Sequence, residues 1–359
     1  MSAISALERV VSIRIIQEDA ESIYSLITTE RDAVFSLGII PYYALFVQSC
    51  KEYCKFEEDA DEIITKVKDI RNHIKGYADS FGKSKKKVSA IDHQEDEQFK
   101  SQLRFDFMKS WNIHYNLGTY WTDDRHIIGN TQQLAAFVGI NDFSDANRNQ
   151  KAYDLSYYIG SIVSSVRNGI SSTYSIPHIE RRNSGTSIRK YCDLNTNIKH
   201  PFFFSYDNKE LNLFLLHLLC NMNFVKHILK PMLTDDNSWA FRVEYIVTYY
   251  TYRALQRLKN YAENNADIPA DTAELEDILL GSEGLFETKF RNCMMHYGLD
   301  NQGVLSEEFI EKPFYGMIET CFNGMDFESY REKLHTFSES IITYLESKFD
   351  SNSLELEEL

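Results

Sequence analysis

Glycine and proline are scarce in this chain, with 15 Gly and 6 Pro among 359 residues. So few turn punctuators, combined with long stretches in which apolar residues recur three and four apart, predict an all-α protein. Hydrophobic residues at 43% and charged residues at 25% are ordinary globular values, which excludes wholesale disorder and fibrous repeats. The chain is expected to fold.

The length suits two domains better than one. Helical periodicity runs through Glu18 to Ser36, Pro41 to Phe56 and Asp59 to Ala78. It returns at Gln98 to Tyr115 and Asn130 to Val138, on either side of GTYWTDDRHIIG, where Thr122-Asp123-Asp124 reads as a turn or a helix start. The expectation is a helical N-terminal domain over 1–150, with an exposed connector near 81–97, where KSKKK and an acidic run replace the apolar pattern. Residues 151–200, which include a helix candidate at Asp154 to Val166 and a stretch rich in Ser, Thr and Asn, read as a linking segment. Over 201–350 the sequence predicts a helical bundle: Asn208 to Leu229, Ser238 to Asn264, a shorter Thr272 to Leu280, Leu285 to His296, and Asp326 to Phe349. The acidic tail over 351–359 is expected to be disordered.

Charge narrows the possible partners. The net charge of −15 argues against a general nucleic-acid-coating protein. The average hides an asymmetry, because 150–260 holds 14 basic and 8 acidic residues whereas 261–359 holds 6 and 22. An anionic ligand is therefore expected to meet the middle segment. No apolar stretch is long enough to cross a bilayer, the N-terminal residues have no basic leader pattern, and the six cysteines are scattered, so a soluble, cytoplasmic, reduced chain without a membrane partner is expected. Cys50 and Cys54 are one helical turn apart, but two thiols are not a metal site, and neither a metal nor a cofactor is expected.

Phosphate loops, dinucleotide-binding glycine patterns, HExxH, GxSxG and paired CxxC knuckles are all absent. What stands out is GLFETKFRNCMMHYGLDNQG, where an apolar helical face carries Arg291, Asn292 and His296. A guanidinium is a permanent cation shaped to hold phosphate oxygens, and an imidazole exchanges protons near neutral pH. Together they suit metal-free phosphodiester chemistry, in which a ribose 2′-hydroxyl is deprotonated and attacks its own phosphate while a cation holds the developing charge. Five residues on a helix turn through roughly 140° beyond a full turn, which parts Arg291 from His296 and suggests that a second chain completes the site. The helix from Ser238 adds Tyr245, Tyr249, Tyr250 and Tyr252 with Arg253 and Arg257, residues able to stack on and clamp a polynucleotide. A second reading pairs Arg291 with Glu287 and places His296 as a helix-terminal residue.

The Arg-x4-His pattern, with Asn292 after the Arg and Tyr297 after the His, resembles the Arg-x(4–6)-His motif of the HEPN superfamily. The resemblance covers about 200–350. It implies a HEPN-like helical bundle acting as a metal-independent endoribonuclease, often a toxin or phage-defence effector of the abortive-infection kind. It further implies a homodimer whose paired motifs form the RNA-cutting cleft, restrained by a regulatory or antitoxin protein. Carried over residue by residue, Arg291, His296 and Asn292 are the catalytic candidates. Tyr297 is a substrate-contact candidate, beside Arg253 and Arg257. The N-terminal residues are the candidate for sensing or restraint. The alternative is a non-catalytic helical module that binds a partner protein or a nucleotide.

Overall fold

The computed structural model describes residues 3–28, 33–50, 61–75, 77–103, 114–140, 147–171, 188–299 and 302–359. Its N-terminal helices are α1 (Ala3–Ile27), α2 (Ala33–Gly38), α3 (Ile40–Cys50), α4 (Asp61–Ile74) and α5 (Phe81–Gln102). A hairpin follows, β1 (Leu117–Thr122) and β2 (Ile127–Asn130), then α6 (Thr131–Phe137), α7 (Arg148–Ser171) and β3 (Ile188–Leu194). The remainder is α8 (Lys209–Asn223), α9 (Ser238–Ala262), α10 (Thr272–Leu280), α11 (Thr288–Met295), α12 (Met317–Cys321), α13 (Phe327–Glu346) and β4 (Glu357–Glu358).

Helices dominate, as the sequence predicts, and their starts are chemically marked. Asn237, Asp271, Glu287 and Asp326 each accept a backbone N–H from the first turn of α9, α10, α11 and α13. Helix α8 runs on through a π-helical turn, Phe224–Leu229, and ends in a 3-10 turn at Pro231, which has no N–H to continue the ladder.

The expectation of a purely α protein needs correction, because a four-stranded antiparallel sheet of order β2-β1-β3-β4 lies beside the helices. Strand β1 is buried along nearly its whole length, so the polar/apolar alternation of a half-exposed strand is missing from its sequence. Residues 188–194, read as linker, form the strand that joins β1 to β4, and much of 148–171 is the long helix α7. The acidic tail is ordered over 351–359: Glu357 and Glu358 pair with Tyr191 and Lys190, and Arg125 donates to the carbonyls of Ser351 and Leu354.

The proposed connector at 81–97 lies within α5. Its inward face carries Asp92, Glu95 and Asp96 beside Phe81 and Val88, so hydropathy alone does not reveal it. Asp92 accepts from Gln132 and Thr196 and pairs with Lys209, while Asp96 accepts from His114, Asn116 and Asn197. Buried carboxylates are tolerable only with such partners.

Buried side chains from both halves of the chain form one hydrophobic cluster. Phe35 and Tyr42 stack on Phe224, Tyr43 stacks on Trp239, and Phe46 meets Tyr297 edge to face. The first 150 residues therefore supply part of the surface on which the 201–350 helices pack. Among the described residues no helix is long and apolar enough to cross a membrane.

Candidate functional site

Helix α11 is short because its sequence starts and stops it sharply. Glu287 accepts the backbone N–H groups of Lys289 and Phe290, Phe290 and Met294 bury the inner face, and the helix ends at Met295. His296 is the first residue beyond it, in extended conformation (φ −139°, ψ 144°), with its N–H bonded to the Asn292 carbonyl at 2.9 Å. It is half-buried, as is Asn292. The helical-wheel separation of Arg291 from His296 therefore does not hold, since His296 has left the helix, and the angular reason for a second chain goes with it.

The last carbonyls of a helix have no partners within it. Here three come from other elements. Arg242 on α9 donates through Nη1 to the carbonyls of Cys293 (2.7 Å) and Met294 (3.1 Å), and Ser49 on α3 donates to that of Met295 (2.8 Å). Arg242 is paired through Nε with Asp19 on α1 at 2.9 Å, with Asp19 fully buried. Burial pushes the Asp19 carboxyl up, while Arg242 and hydrogen bonds from Tyr297 and Ser238 pull it down.

Tyr297 is only 2% exposed, donates its hydroxyl to Asp19 at 2.6 Å, and lies under the Arg242 guanidinium, 4.7 Å from the ring centre. Its hydroxyl is committed to Asp19 in the core.

Arg291 is held differently. Its guanidinium carbon lies 5.8 Å from the centre of the half-buried Tyr249 ring. The Nε atom is buried without a protein acceptor, and among the described residues no carboxylate lies within ion-pair distance of the guanidinium. Glu287, one turn earlier, is engaged in capping α11. Tyr250 beside it donates to Met295 Sδ at 3.4 Å, and burial pushes its phenol up to about 12 against the opposing charge of Arg291. Arg253 and Arg257 follow Tyr249 along α9 at four-residue steps, Arg253 half-buried with Nη1 bonded to Gln256 and Arg257 exposed.

The structure adds two residues that motif reading passes over. Arg71 on α4 and Lys75 just past its end lie within electrostatic reach of this site, Arg71 acting on Tyr250 and both Arg71 and Arg291 acting on Lys75. The Arg71-Asn72-His73 run is no spaced motif, and α4, which carries it, packs against α3, α6 and α7. Cys50 is buried in the core, and Cys54 lies outside the described residues. Among the described residues no group of three or more His, Cys, Asp or Glu side chains is placed to hold a metal. Comparison with protein-family models, curated proteins and solved structures finds no match to this chain.

Proposed function

We propose that the chain is a metal-independent endoribonuclease of HEPN type, with Arg291 and His296 as the reacting pair and Asn292 beside them. The observation that carries this reading is the setting of Arg291: a half-buried guanidinium over the Tyr249 ring and hydrogen-bonded to Tyr250, with no carboxylate within ion-pair distance among the described residues. The more deeply buried Arg242, by contrast, is neutralised by Asp19. In the reaction His296 takes the proton of the ribose 2′-hydroxyl and the 2′-oxygen bonds to phosphorus. The P–O5′ bond breaks, a proton goes to the leaving 5′-oxygen, and a 2′,3′-cyclic phosphate and a 5′-hydroxyl result. Arg291 holds the charge that builds on the phosphorane. The same reading makes the protein a toxin or phage-defence effector that works as a homodimer under a regulatory partner.

The test is RNA degradation by purified protein in the presence of a chelator. Arg291→Ala and His296→Ala are each expected to lower the rate by at least about 100-fold, the usual scale for a lost proton-transfer or charge-stabilising group. Asn292→Ala is expected to have a smaller effect. Wild-type protein that leaves RNA intact under every activating condition tried, or variants that cut at the wild-type rate, would end the proposal in favour of a helical module that binds a protein or a nucleotide.

A further inference from the structure

We propose that the crevice where residues 196–206 meet the first turn of α8 binds a nucleotide whose base carries an exocyclic amino group. The site shares no residue with the Arg291–His296 segment and does not rest on the cleavage reading above.

A buried acceptor without a donor belongs to this crevice. Asn212, on the first turn of α8, lines it and is 4% exposed. The Nδ2 of Asn212 donates to the carbonyl of Ser205 at 2.5 Å, and because a carbonyl can only accept, the amide is fixed in this orientation. Its Oδ1 is left buried with no donor in the protein. Such an acceptor costs the fold stability, and an N–H brought by a ligand removes that cost. The free space in the crevice is about 20 Å³, enough for an amino group and too little for a ring.

The other lining residues suit a base attached to a phosphate. Ile198 and Tyr206 are each 53% exposed, apolar surface on which a ring can lie. Lys199 is exposed, with its ammonium 5.5 Å from the centre of the Tyr206 ring. His200 accepts the backbone N–H of Phe202 through Nδ1 at 3.1 Å, so its neutral ring carries the proton on Nε2 as a donor. Burial favours that neutral form by drawing the imidazole below its ordinary range. Lys209 is paired with Asp92, whereas Lys199 meets the exposed Asp207 only at 4.0 Å. No carboxylate lines the crevice, although the chain holds 53 acidic residues. The base lies across the mouth on Tyr206 and Ile198, its amino group reaches Asn212, and its phosphate meets Lys199 and His200. An ammonium ligand would face Lys199 and Lys209 instead, and a bare phosphate or carboxylate brings no N–H for Asn212.

The experiment titrates the full chain with AMP and with purine riboside 5′-monophosphate, which lacks only the amino group, by calorimetry. Wild type is expected to bind AMP about 10-fold more tightly, the scale of one hydrogen bond to a buried acceptor. Asn212→Ala is expected to erase that preference. Tyr206→Ala is expected to weaken both ligands by about 10-fold through lost stacking, and Lys199→Gln by about 3-fold through a lost exposed charge. Tyr206 and Lys199 are both exposed, so melting of these two unliganded variants is expected to stay at the wild-type value, which keeps the test intact if Asn212→Ala disturbs the fold. Lys86→Gln, an exposed lysine on α5, is expected to leave binding unchanged. A parallel arm uses short 2′-O-methyl oligonucleotides bearing adenine or unsubstituted purine. An amino-group preference that depends on Tyr206 in the mononucleotide arm assigns the crevice to a free nucleotide, and one confined to the oligonucleotide arm to a strand. Absence of binding in both arms overturns the proposal, as do equal affinities for the two bases in both arms or binding that Tyr206→Ala and Lys199→Gln leave intact. Protein that cuts no RNA yet prefers the amino-bearing base sinks the cleavage reading and leaves this site standing. Protein that cuts RNA and shows no such preference does the reverse.

Discussion

Arg242 meets three demands with one side chain: it neutralises the fully buried Asp19, closes two carbonyls at the end of α11, and lies over the ring of Tyr297. Truncating it leaves the buried Asp19 carboxylate without its counter-charge and two helix-end carbonyls without their donor. Arg242→Ala is therefore expected to cost about 3–5 kcal/mol, read as a lowered urea midpoint at constant slope. Arg331, half-exposed and paired with Glu328 on the surface, is the comparison, and Arg331→Ala is expected to cost less than about 1 kcal/mol. Equal shifts for the two would show that Arg242 is not the anchor of the segment that carries His296. The contrast with Arg291 is instructive. Both arginines bear on α11, yet Arg242 is saturated with acceptors while Arg291 has no carboxylate within ion-pair distance among the described residues. Sequence spacing picks out Arg291 by its company on α11; it has no means of telling that Tyr297 belongs to Arg242 and Asp19.

The sheet shows the same limit for whole elements. Removing residues 351–359 takes away β4, the buried Leu354 and two acceptors of Arg125. By burial of one leucine and hydrogen bonds to a charged group, this is expected to cost on the order of 3–5 kcal/mol in denaturant unfolding. A truncated chain as stable as the whole would mean that the tail only rests on the sheet. The longer helices of the C-terminal half are legible in the sequence to within about three residues, because Asn237, Asp271 and Asp326 mark their starts and apolar stripes mark their faces, whereas the short α12 is not foreseen. Helix α5 is not, because its buried stripe is built partly from Asp92, Glu95 and Asp96, whose partners come from β3's far end, α6 and α8. Nor is β1, covered on both faces. In both cases the deciding contacts are distant in sequence, and a local pattern carries no trace of them.

At the scale of the molecule, buried titratable groups set how stability responds to pH. Burial pulls His73 and His227 down to about 4 and His217 to about 3, with Lys87 acting further on His73 and His217 and His126 on His227, against which it stacks at 3.8 Å. Glu346 opposes the shift of His227, and Lys226 reinforces it. Below pH 6.5 the unfolded chain binds protons that these imidazoles refuse, so stability falls as pH drops. Glu95 works in the opposite sense. Burial raises its carboxyl to about 8, so between the ordinary carboxylate range and pH 8 the unfolded chain sheds a proton the native state keeps, and stability falls as pH rises. The thermal midpoint is expected to peak near pH 6.5, and Glu95→Gln to flatten the upper limb while sparing the lower one. A wild-type midpoint that stays level from pH 6.5 to 8 would count against the buried, protonated Glu95. The tie between α1 and α11 also says something about how the chain reaches this state. Asp19 finds Arg242 across 223 residues and Tyr297 across 278, and Ser49 finds Met295 across 246. Contacts of such sequence separation form late and slowly. During synthesis Asp19 gains Arg242 and Tyr297 as partners only after most of the chain has emerged. The His296 segment is tied to Asp19 on α1 and Ser49 on α3, so a product lacking those helices carries the motif without these partners.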